Sequence, residues 1–108
     1  MPTTPRLETE IKLYAIRRAG GWMTPEEIQA TAAKSLHVGD EEMSDDIRWI
    51  RSYVVRELDG SLGTICIYEA SSPEKIREHA SRSEMHATEI YEVADTVVIR
   101  PDPAAVAA

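Results

Sequence analysis

The sequence predicts an α+β fold with the element order β-α-β-β-α-β, a four-stranded antiparallel sheet carrying both helices on one face. Three observations predict it. Two helix starts share one form, Thr24-Pro25-Glu26-Glu27 and Ser72-Pro73-Glu74. Strand-like stretches flank each of them, and Asp59-Gly60 is a turn signal that divides the stretch between them into a hairpin. The chain has 108 residues, one domain by size, and its 43% hydrophobic content fills one modest core.

The first strand is expected from Leu7 to Ala19, where Leu7, Ile11, Leu13 and Ala15 alternate with Glu8, Glu10, Lys12 and Tyr14. Gly20-Gly21 ends it. In the first helix Thr24 is the N-cap, Pro25 takes the first helical position, and Glu27 stands three residues after the cap. That spacing lets Thr24 and Glu27 each satisfy a backbone donor that the helix leaves unpaired. Ile28, Ala32 and Leu36 form a narrow apolar stripe, and the helix fades near Val38-Gly39 into an acidic loop through Asp46.

The second strand, Ile47 to Leu58, puts Trp49, Tyr53 and Val55 on one face and Ile50, Ser52 and Val54 on the other. The third runs from Thr64 to Ala70. The second helix carries Ile76, His79, Ala80 and Ser83 along its inner edge. The last strand is expected from Glu89 to Arg100, with Val97-Val98-Ile99 apolar on both faces. Residues 1–100 thus form a single domain, and 101–108 a flexible tail. Right-handed crossovers complete a ferredoxin-like arrangement. Apolar residues on both sides of the strands (Ile47 and Ile50, Cys66 and Ile67, Val97 and Val98) predict that the helix-free face is covered too. A homodimer packing sheet against sheet, as a dimeric α/β barrel, supplies that cover.

The formal net charge of −7 repels phosphate backbones, so nucleic acid is not an expected partner. Arg48, Arg51 and Arg56 come close together, but a strand splits them between faces. No apolar run approaches the length that spans a bilayer, so no membrane partner is expected. Met1 to Arg6 lacks the apolar stretch of a secretory signal, and the single cysteine, Cys66, forms no disulfide within the chain. These features point to the cytoplasm.

Compact chemical motifs are missing: there is no Cys-x-x-Cys, His-x-His, glycine-rich phosphate loop or Gly-x-Ser-x-Gly. Gly20-Gly21 before a helix reads as a plain turn rather than an anion site. What remains is a convergence. Trp49, Tyr53, Cys66, Tyr68 and His79 come from adjoining elements and are expected to share a pocket beside the helices. His79 is either its general acid or base, or a boundary histidine with the aromatics as core. A metal reading draws on His79, His86 and Glu89, since imidazole and carboxylate suit nickel, zinc or copper. His79 and His86 lie seven residues apart, about 10 Å along a helix. His37 precedes Asp40, Glu41 and Glu42. Cys66 reads as a small buried hydrophobe.

Three stretches carry a likeness: Ile47-Arg48-Trp49-Ile50-Arg51-Ser52-Tyr53-Val54, Cys66-Ile67-Tyr68-Glu69-Ala70, and Pro73-Glu74-Lys75-Ile76-Arg77-Glu78-His79-Ala80. Together they resemble a family of small bacterial proteins, a domain of unknown function whose characterised relatives bind nickel. The resemblance runs from about Ile11 to Ile99. It implies a ferredoxin-like fold, a homodimer, and nickel as the cofactor, held at the dimer surface. The N-terminus and the acidic stretch Gly39 to Asp46 are longer here than is usual in the family. Beside a structural or regulatory module with no ligand, two functions are expected. One is a small intracellular nickel-binding protein. The other is a dimeric α/β-barrel protein that binds a small molecule, or an enzyme of isomerase, oxygenase or cyclase type.

Overall fold

The computed structural model describes residues 11–103, so the expectations for Leu7 to Glu10 and for 104–108 lie outside the described residues. The chain runs β1 (Lys12–Trp22), α1 (Pro25–His37), a π-helical turn (Val38–Glu42), β2 (Ile47–Arg56), β3 (Leu62–Ala70), α2 (Pro73–Arg82) and β4 (Glu89–Glu92). The strands form one sheet in the order β2-β3-β1-β4, and all neighbours are antiparallel. This is the expected ferredoxin-like topology. Among the described residues, no helix is long and apolar enough to cross a membrane.

Both helix starts form as the residues dictate. Thr24 Oγ1 accepts the Glu27 N–H at 3.2 Å, and the Glu27 carboxylate reaches back to the Met23 N–H at 2.7 Å. Ser72 Oγ accepts the Lys75 N–H in the same way. The inner stripe of α1 differs from the expectation. Leu36 is about half exposed, and Ser35 is buried in its place. A helix turns every 3.6 residues, so from Ile28 and Ala32 the stripe continues best to Ser35. The helix also does not fade at Val38-Gly39. It widens there into the π-helical turn, which buries Val38 and Gly39.

β2 ends two residues early, at Arg56, and β3 starts two early, at Leu62; three further differences are larger. β1 does not stop at Gly20-Gly21; it continues to Trp22 through a register shift. Gly20 and Gly21 absorb the extra length at φ +61° and +106°, where a side chain would be strained. β2 carries a second shift between Trp49 and Arg51, around Ile50. β4 ends at Glu92, well short of Arg100. Beyond Val93, whose N–H still bonds the Leu13 carbonyl, residues 94–103 pair with no strand.

The core lies between the helices and one sheet face: Tyr14, Ile16, Val38, Met43, Ile47, Cys66, Tyr68, Ala70 and Ile76. Along β1, Tyr14, Ile16 and Arg18 are the deeply buried set, while Leu13, Ala15 and Arg17 lie on the helix-free face, partly exposed. At Gly63 the strands approach closely. A Cβ there would stand 2.7 Å from the Arg18 carbonyl oxygen and would also press on the Glu57 carboxylate. Gly63→Ala is therefore expected to cost roughly 2 kcal/mol, seen as a lower urea midpoint with an unchanged slope. An unchanged midpoint would show that β3 yields without strain.

Candidate functional site

The register shift at Ile50 decides which side chains meet. Three rows cross the helix-covered face of β1, β3 and β2: Tyr14–Tyr68–Trp49, Ile16–Cys66–Ser52 and Arg18–Thr64–Val54. Arg51 and Tyr53 pair instead with Ile67 and Ile65, on the opposite face. The expected pocket is thus only partly assembled. Trp49, Cys66 and Tyr68 line a cavity of about 220 Å³ between α1 and the sheet. Tyr53 is excluded from it. Its hydroxyl donates to Asp102 at 2.7 Å, beside Arg51, which also holds Asp102. Strict alternation from Trp49 would have put Trp49 and Tyr53 together; one extra residue in β2 reverses the count.

His79 lies behind the cavity wall rather than in it. It is 1% exposed, its ring meets the Tyr68 ring edge-on at 5.3 Å, and its Nε2–H donates to the Ser35 carbonyl at 3.0 Å. Because a carbonyl only accepts, Nε2 carries the proton and Nδ1 the lone pair. That Nδ1 is buried with no partner among the described residues. Burial pushes the imidazole pKa down; the Ser35 carbonyl opposes this and the nearby Arg18 charge adds to it. The ring reaches the cavity only through Ser35 and Tyr68, whose hydroxyls share a 3.0 Å hydrogen bond. Burial also raises the Tyr68 pKa. The Cys66 thiol is buried and points its weak hydrogen bond at Thr64 Oγ1.

The metal residues stay apart. His79 is inside. His86 is exposed, and Glu89 is exposed at the start of β4, where it pairs with Arg17. No group of three or more His, Cys, Asp or Glu comes together among the described residues. His79, His86 and Glu89 thus form no such group within the described residues of one chain. His86 nevertheless has one feature of a metal ligand. Its Nε2–H donates to the Ala19 carbonyl at 2.9 Å, which fixes the ring and leaves the Nδ1 lone pair outside that bond. His37 Nε2 stands 3.9 Å from the Glu42 carboxylate, both exposed.

One residue of the site was missed in the sequence. Arg18 is 1% exposed and lines the cavity. Its Nη1 donates to the His86 carbonyl at 2.7 Å, and its guanidinium lies 6.0 Å from the Tyr68 ring centre. The signal was available: Tyr14, Ile16 and Arg18 share one parity of β1.

Residues 14–93 match the family described as nickel responsive protein SCO4226-like. The chain belongs to that family. Among solved structures, it resembles the crystal structure of SCO4226 from Streptomyces coelicolor A3(2), with a TM-score of 0.64. That likeness covers 79% of this chain and 99% of the other, at 19% identity. At this identity the likeness shows the fold. No curated protein matches the chain.

Proposed function

We propose that this protein acts in the response to nickel, as a homodimer that takes the metal at its surface. Membership of the nickel responsive family over residues 14–93 is the observation that carries this reading. His86 is the ligand we assign within one copy, because its exposed ring is already oriented by a backbone carbonyl. Imidazole nitrogen suits nickel better than it suits the hard cations that an acidic surface attracts. A second copy of the chain completes the ligand set. The helix-free sheet face supports the dimer: Tyr53, Tyr91, Val97, Val98 and Ile99 are all exposed there or in the segment that follows β4. Exposed apolar side chains gathered on one side of a sheet mark an interface. The reading includes a cytoplasmic location, since the lone Cys66 needs no oxidising compartment.

The test is native mass spectrometry and calorimetry on tag-free protein, with nickel added in excess magnesium. A dimer is expected to take up a fixed number of nickel ions, to lose them in His86→Ala and to keep them in His79→Gln. Uptake that magnesium abolishes, or that His86→Ala leaves intact, would sink the assignment. Loss in His37→Ala alone would move the site to His37 and Glu42.

A second reading has an observation of its own, the cavity beneath α1. It supports a small-molecule binding site walled by Trp49, Cys66 and Tyr68. His79, held behind Ser35 and Tyr68, orders that wall rather than touching what it would hold.

A further inference from the structure

Arg18 is a buried cation with two of its three guanidinium nitrogens idle among the described residues. An arginine guanidinium is a permanent charge with five N–H groups, and burying one without partners is costly. Nη1 is satisfied by the His86 carbonyl. Nε and Nη2 are buried with no partner among the described residues. These two nitrogens share one flat edge of the guanidinium. It is the edge that presents two parallel N–H groups to a carboxylate.

The other polar groups of the cavity are already engaged. Thr31 Oγ1 accepts from Trp22 Nε1 and donates to the Glu27 carbonyl. Trp49 Nε1 donates to Ser52 Oγ at 2.7 Å. Thr64 receives the Cys66 thiol, and Ser35 is bonded to Tyr68. The remaining walls include Ile28, Ala32, Val54 and Met85, which are apolar. A volume of about 220 Å³ admits roughly ten non-hydrogen atoms or fewer, judged against the space a water occupies. Access lies along the seam between α1 and the edge strand β2, where Ile28 and Ala32 are part-exposed and Val54 is 54% exposed.

We propose that this cavity binds a small carboxylic acid with an apolar or aromatic body, its carboxylate paired with Nε and Nη2 of Arg18. The inference rests on the small-molecule reading of the cavity and is independent of the nickel reading. The acid supplies the missing counter-charge and both missing acceptors, while its body fills the apolar space under α1. A neutral ligand of the same shape would leave the buried cation unpaired.

The test titrates metal-free, tag-free protein with benzoate and hexanoate, and with the neutral benzamide and hexanamide. Calorimetry gives stoichiometry. Tryptophan fluorescence gives location, because Trp22 and Trp49, both tryptophans of the chain, line the cavity. Expected are saturable binding of one acid per chain, amides at least about tenfold weaker, and no acid binding by Arg18→Met. That variant is expected to stay folded, since an apolar replacement for a buried charge is usually tolerated. If it unfolds, Ala32→Phe, which fills the cavity, must abolish acid binding instead. Amides binding as tightly as acids would overturn the carboxylate assignment while leaving a small-molecule pocket. No binding of any probe by the wild type would overturn both. Inorganic phosphate displacing benzoate at equal concentration would overturn the apolar body.

Discussion

Tyr68→Ala is expected to remove about 4 kcal/mol of stability, the largest loss available from one side chain here. The ring is 1% exposed and is gripped from several sides. Trp49 stacks on it at 5.9 Å with an interplanar angle of 5°, and His79 meets its edge. Its hydroxyl bonds Ser35 on α1, so one residue of the central strand β3 ties the sheet to both helices. Truncation would enlarge the cavity beside it. A domain of this size has only about 5–15 kcal/mol in total, so the variant would be close to unfolded at room temperature. Tyr68→Phe separates the terms: it keeps the packing and loses about 1 kcal/mol for the Ser35 bond. Urea denaturation followed by tryptophan fluorescence measures both. A loss under about 1.5 kcal/mol for the alanine variant would mean that the ring is not packed as tightly as its burial indicates.

The second large effect is on acid stability. The native imidazole of His79 is held neutral, chiefly by burial, and its one free lone pair, on Nδ1, is buried with no partner among the described residues. Above pH 6.5 the imidazole is neutral in the folded and unfolded chains alike, and its full contribution is present. Below pH 6.5 the unfolded chain takes up a proton that the native chain refuses. Stability then falls with pH, by up to about 1.36 kcal/mol per unit, until the lowered native pKa is reached. Subtracting the pH profile of His79→Gln, which can still donate to Ser35, isolates this contribution from the carboxylates. The wild type is expected to lose more stability than the variant between pH 6.5 and 5. Parallel profiles would show that His79 titrates normally and is open to water.

Local chemistry made much of this fold legible. Thr24-Pro25 and Ser72-Pro73 announce helix starts because their hydroxyls and fixed proline φ act within a few residues. Asp59-Gly60 marks the hairpin for the same reason. The order of elements follows from such signals alone. The site was less legible, because it depends on the parity of strands across the sheet. Ile50 carries no mark of the extra residue it adds, so Tyr53 was expected beside Trp49 and stands on the other face. Leu13 and Ala15 look like the obvious core residues of β1, yet Tyr14, Ile16 and Arg18 go deeper. The burial of an arginine is decided by what lies opposite it, and period-two reading weighs the charge before the position. β4 ends at Glu92, whereas Val97-Val98-Ile99 have strand composition without a strand partner among the described residues.

The extra residue in β2 also bears on how this strand changes over generations. Replacing Arg51 or Ser52 alters one side chain and leaves every other where it was. Removing Ile50 alters none of the remaining letters, yet it turns the rest of the strand over. Arg51 and Tyr53 would move beneath α1, Ser52 and Val54 would move out, and Asp102 would lose both of its holders. A single codon gained or lost here is thus a longer step than any substitution nearby. Relatives aligned letter by letter across a gap at this point would be compared inside against outside.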